Sequence, residues 1–96
     1  MPIDEIRLRC LLAIDHFGVE HQKQKALEEF GELIAEMCKE QDKRTSGDRI
    51  AEELADVMIM TEQLRLIYGQ ELVDWWIAVK SDRLMDRIRK KEGLDG

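Results

Sequence analysis

An all-α protein of about four helices is the fold this sequence predicts, and three observations predict it. Apolar residues recur at three and four along most of the chain. β-branched residues are sparse and never alternate over a strand length. The six glycines and single proline fall at the edges of the periodic stretches more often than within them. At 96 residues the chain is expected to form one domain spanning 1–96, with no internal repeat and no linker.

The first helix is predicted from Ile3 to Phe17, with Ile6, Cys10, Ala13, Ile14 and Phe17 on one face. Pro2 suits its first turn and Gly18 its end. The second runs from Glu20 to Glu40, with an apolar face of Leu27, Phe30, Leu33, Ile34, Met37 and Cys38. A polar stretch, Asp42 to Gly47, follows, and Thr45 with Asp48 has capping-box spacing. The third helix covers Asp48 to Tyr68 and stops at Gly69. It is apolar nearly all round: Ile50, Leu54, Val57, Met58, Met60, Leu64 and Ile67 on a wide stripe, Ile59 and Leu66 opposite. Such a helix needs several neighbours, more than one short chain supplies. The expectation is therefore an antiparallel bundle completed by oligomerisation, most simply a homodimer. The fourth helix covers Gln70 to Glu92 and ends in basic residues that suit the helix dipole. Adjacent Trp75 and Trp76 point about 100° apart, so one ring is expected in the core and the other at an interface or pocket wall. His16 and His21 are expected at the surface or an interface.

With 21 acidic and 15 basic side chains, the chain carries a formal charge of -6. That balance opposes binding to a nucleic-acid polymer, which requires a basic face. It also opposes a basic membrane-surface peptide, and no apolar run is long enough to span a bilayer. No basic region followed by an apolar stretch opens the chain, so a cytoplasmic location is expected. Cys10 and Cys38 make no metal pattern and are expected to be reduced core thiols.

Two acidic clusters stand out: Glu28, Glu29, Glu32 and Glu36 on the second helix, and Glu52, Glu53 and Asp56 on the third. Glu29 with Glu32, and Glu53 with Asp56, stand three apart and so share a helix edge, where like charges repel. Glu53 and Asp56 fall at the wide edge of the apolar stripe, where an unpaired carboxylate is costly. A divalent cation removes that cost. Oxygen-only ligands favour a hard ion, Mg²⁺, or Mn²⁺ in its place. A short loop makes the two helices antiparallel neighbours, with the pairs mismatched by ~6 Å along the axes, which stagger or an extra turn absorbs. Glu29, Glu32, Glu53 and Asp56 would then face one pocket. Setting those four aside leaves 17 acidic against 15 basic residues, close to balance.

At these positions the chain resembles the MazG-like, all-α nucleoside triphosphate pyrophosphohydrolase superfamily, particularly its short, phage-type members. The motif of that family, EExxE followed by ExxD, reads here Glu28-Glu29-x-x-Glu32 and Glu53-x-x-Asp56, twenty residues apart, within ALEEFGELIAE and RIAEELADVMIM. The resemblance covers about residues 22–91. It implies a homodimer or homotetramer that hydrolyses an NTP or dNTP to the monophosphate and pyrophosphate. Glu29, Glu32, Glu53 and Asp56 would be the Mg²⁺ ligands, and Glu28 would either support those ligands from behind or help orient the attacking water. Lys80 and Arg83 resemble the family's phosphate-facing bases, with Arg87 a further candidate. From the residues alone, Lys25 lies one turn before the first acidic cluster and is also placed to meet phosphate. Gln22 is a candidate for hydrogen-bonding a base edge, and His21 or a tryptophan for stacking on it. The competing reading is a non-enzymatic helical dimerisation module, motivated by the apolar third helix.

Overall fold

Two single-glycine corners and one polar loop divide the chain into four helices. The computed structural model describes residues 2–91 and 93. Helix α1 spans Ile3–Phe17, α2 Val19–Gln41, α3 Gly47–Tyr68 and α4 Gln70–Lys91. The predicted end of α4 at Glu92 lies outside the described residues. Pro2 precedes α1 as its cap, in extended conformation, one step before the expected first-turn position. Gly18 (φ 92°) and Gly69 (φ 113°) each turn the chain alone, in a backbone region that L side chains rarely adopt. Across each corner the N–H of the glycine donates to the helix before it, at 2.8 Å and 3.0 Å.

The α2–α3 loop ends α2 differently. Lys43 takes the left-handed conformation (φ 59°), while Arg44 N–H donates to the Lys39 carbonyl and Lys43 N–H to that of Glu40. This pairing satisfies two terminal carbonyls in the manner of a Schellman end, with lysine where glycine is usual. The cap of α3 is Ser46, whose hydroxyl accepts from Arg49 N–H at 3.3 Å. The expected capping-box residue, Thr45, instead donates its hydroxyl to Glu36. A carboxylate at hydrogen-bond distance wins that hydroxyl, and the next residue caps the helix.

Helix α3 packs on all three others, as an all-round apolar helix must. The closest association is α2 on α3; α1 contacts both, and among the described residues α4 touches only α3. Arg65 fastens the α3–α4 corner with two 2.8 Å hydrogen bonds to Asp74 and one of 2.9 Å to Glu62.

The interior differs from the predicted one. The buried apolar residues are Cys10, Ala26 and Met60; the buried polar residues are Gln22, Glu29, Glu36, Glu53 and Gln63. Helix α2 turns Gln22, Ala26, Glu29 and Glu36 inward, spaced four, three and seven apart. Its predicted apolar face points elsewhere: Leu27, Ile34 and Met37 are at least half exposed, and Phe30 and Leu33 are half-buried. Phe17 and Leu54 are exposed too. Cys10 is buried, but Cys38 is an exposed thiol, so only one of the expected core cysteines is in the core. Neither tryptophan ring is in the core: both are exposed and pack edge-to-face on each other at 4.7 Å. The physical reason is that α4 meets no helix but α3, and none of its residues is buried. His16 and His21 are exposed, as expected.

The accessible surface is 7543 Å², against roughly 5,700 Å² for a compact monomer of this mass. The radius of gyration is 16.9 Å, against about 12.5 Å for a compact domain of this length. No helix among the described residues is long and apolar enough to cross a membrane.

Candidate metal centre

Two polar links set the register of α2 against α3. Gln22 Nε2 donates to Gln63 Oε1 at 2.7 Å near one end. Near the other, the Arg49 guanidinium lies 3.7 Å from Glu36 Oε1. In that antiparallel register Glu29 stands level with Asp56, and Glu32 with Glu53. The expected ~6 Å mismatch is absorbed by stagger: α2 continues about one turn past the level at which α3 begins.

The result is a carboxylate pocket between two helices. Glu29, Glu53 and Asp56 each offer an oxygen within 4.8 Å of the others. Glu29 and Glu53 are both 7% exposed; Asp56 is more open. The two buried carboxylates are held alike. Lys25 Nζ is 3.1 Å from Glu29 Oε1, and an Arg49 nitrogen is 3.6 Å from Glu53 Oε1. In both, the second oxygen, Oε2, is buried without a hydrogen-bond partner. A buried carboxylate oxygen without a donor is costly, and a cation held between the two would remove that cost. The donor set is oxygen only, the chemistry of Mg²⁺ or Mn²⁺.

Glu32 stands outside the close triad but in its field. The charge of Glu29, then desolvation, then the charge of Glu53 push its carboxyl above the ordinary glutamate value. Glu36, 6% exposed, is the opposite case. Thr45 Oγ1 donates to it at 2.6 Å and Lys39 at 3.1 Å, and these bonds hold its carboxyl below the usual range.

The remaining predicted residues are distributed as follows. Glu28 is exposed, with one oxygen 3.6 Å from Lys25 Nζ. Lys25 bridges Glu28 and Glu29 at the rim of the pocket. Gln22 is buried, and its amide is occupied by Gln63 and by His21 Nδ1 at 2.7 Å. Lys80, Arg83 and Arg87 lie exposed on α4, and among the described residues no ion pair links them to the acids of α2 or α3. Wider surface grooves lie elsewhere: one of about 610 Å³ at the α3–α4 corner is lined by Gln70, Glu71 and Asp74, and two others are mainly apolar. One of about 550 Å³ includes Met58, Leu64, Tyr68 and Ile77; another of about 430 Å³ includes Ile6, Cys10 and Ile59. None of these grooves is lined by Glu29, Glu53 or Asp56.

Two participants escaped the sequence reading, Arg49 and Gln63. Arg49 was visible as a base four residues before Glu53, the spacing that Lys25 has to Glu29. Gln63 was visible only as an amide inside an apolar stripe. Comparison with protein-family models, curated proteins and solved structures returned no match.

Proposed function

We propose that the chain is a Mg²⁺-dependent nucleoside triphosphate pyrophosphohydrolase, working as a homo-oligomer. One observation carries this reading: the inward, unpartnered oxygens of Glu29 and Glu53, beside Asp56. These are three of the four carboxylates that EExxE and ExxD would assign as ligands, and Glu32 stands in their field.

Glu29, Glu53 and Asp56 would hold the ion, with Glu32 completing the set from the open side. When bound, Mg²⁺ supplies the positive charge that lets a triphosphate approach an acidic pocket, and it acidifies water there. The protein's own residues would then take these roles. Lys25, at the rim, meets the phosphate chain. Glu28 beside it is free to turn and orient water for attack. Lys80 and Arg83, exposed on α4, are the further phosphate bases. Gln22 supports base recognition only by giving up its bond to Gln63, so its simpler role is to hold the two acidic helices in register. The apolar faces of α2 and α3 are the surfaces on which further copies would pack.

Incubating the pure protein with each NTP and dNTP plus Mg²⁺ tests the reading. Pyrophosphate and the monophosphate are the expected products. Absence of turnover with every nucleotide and with both Mg²⁺ and Mn²⁺ would sink it. The second reading, a helical interaction module, is favoured by the exposed Leu27, Ile34, Met58 and Trp75. It predicts no change of melting temperature with Mg²⁺, whereas a site formed only in the native state raises it.

A further inference from the structure

The Arg49 guanidinium stands between two buried carboxylates, only one of which belongs to the metal pocket. Its NH2 nitrogen is 3.6 Å from Glu53 Oε1 and 3.7 Å from Glu36 Oε1. Its NH1 nitrogen is 3.6 Å from exposed Glu52. The other oxygen of Glu53 is buried without a hydrogen-bond partner, and Glu53 offers an oxygen within 4.8 Å of Glu29 and Asp56. Glu36 lies outside the pocket, and its carboxylate accepts from Thr45 at 2.6 Å and from Lys39 at 3.1 Å. The Arg49 side chain is 52% exposed, so a change of partner would require no repacking of the interior.

We propose that Arg49 is an internal stand-in for the divalent cation: it is shared between Glu53 and Glu36, and is left to Glu36 alone when a divalent cation engages Glu53. The inference rests on the metal-site reading above and concerns the regulation of that site. Without a dication, the pocket gathers Glu29, Glu53 and Asp56 within 4.8 Å, and repulsion among them opposes the α2–α3 association. Lys25 offsets it on the α2 side and Arg49 on the α3 side. A dication placed near Glu53 is repelled by the guanidinium, and Glu36 supplies the alternative anion that draws the guanidinium off. Arg49 therefore raises the stability of the metal-free protein and lowers the affinity for metal, while Glu36 restores part of that affinity.

The experiment is Mn²⁺ titration of the full chain by calorimetry, for wild type, Arg49→Gln, Arg49→Lys and Glu36→Gln, with melting temperatures at zero and saturating Mn²⁺. Arg49→Gln is expected to bind Mn²⁺ about 10-fold tighter and Glu36→Gln several-fold weaker, about the scale on which neighbours of metal ligands act. Arg49→Lys is expected to stay near wild type. The melting temperature of Arg49→Gln should fall without metal and approach that of wild type at saturation. Equal or weaker binding by Arg49→Gln overturns the proposal while leaving the metal site standing. Binding by none of the four proteins overturns both. If Arg49→Gln fails to fold, the Glu36→Gln affinity decides: unchanged or tighter binding overturns the proposal.

Discussion

The seam between α2 and α3 and the outer faces of the same two helices invert the usual arrangement of a small protein. The seam buries Gln22, Glu29, Glu36, Glu53 and Gln63. The outer faces leave Leu27 and Ile34 of α2, and Met58 of α3, more than three-fifths exposed. Burying carboxylates costs stability unless each is paired, and exposed apolar faces forgo the main driving force of folding. The contrast assigns the two surfaces different work. The seam concentrates carboxylates, and Lys25, Arg49 and Thr45 offset their charge there. The outer faces leave apolar area in water, and under the proposed homo-oligomer that area is what a second copy would cover.

The largest expected effect falls on the seam. Glu53→Gln should abolish most NTP hydrolysis, by about 100-fold or more, and remove the Mg²⁺-induced rise in melting temperature. Steady-state pyrophosphate release and thermal scans with and without Mg²⁺ check both. On the outer face, Ile34→Glu should be nearly neutral in a monomer, within about 0.5 kcal/mol. In an oligomer it should weaken assembly by about 2 kcal/mol or more, read by sedimentation across a dilution series.

Within the seam, Gln63→Leu should cost about 1–3 kcal/mol by leaving the Gln22 amide buried and short of its partner. Replacing both residues by leucine should recover much of that loss, as measured by chemical denaturation. In the loop that closes the seam, Lys43→Gly should stabilise by about 0.5–1 kcal/mol, because the left-handed backbone there carries no Cβ penalty for glycine. The smallest effect lies at the α3–α4 corner. Hydrogen bonds from Arg65 hold the Asp74 carboxyl below its ordinary range. The stability this lends is present above the unfolded aspartate value of about 3.9 and is lost as pH falls through the lower folded value. Asp74→Asn should flatten that acid limb in melts followed by circular dichroism.

Much of the fold was legible in local pattern. The ends of α1 at Phe17 and α3 at Tyr68 follow from Gly18 and Gly69, since few other residues turn a chain within a single position at positive φ. The acidic pairs were legible because three-residue spacing places them on one edge of a helix whatever the surroundings. The inward face of α2 was not. Leu27, Phe30, Ile34 and Met37 make the better apolar stripe, and amphipathicity alone selects it for the core. The seam took Gln22, Ala26, Glu29 and Glu36 instead. Gln22 and Glu36 find partners on α3 and its loop, Glu29 is paired by Lys25 on its own helix, and the small Ala26 lets the helices approach. The role of Thr45 escaped local pattern for a related reason: the carboxylate that takes its hydroxyl lies nine residues away in sequence.

Helix number, helix ends and the spacing of the acids are properties of contiguous residues. Backbone sterics and a 3.6-residue repeat settle them, so the chain's order of amino acids is enough. Which face of α2 turns inward, the register that levels Glu29 with Asp56, and the sharing of Arg49 between Glu36 and Glu53 depend on side chains from separate helices meeting. Those meetings trade desolvation against pairing across the interface, and that balance exists only once the helices are together.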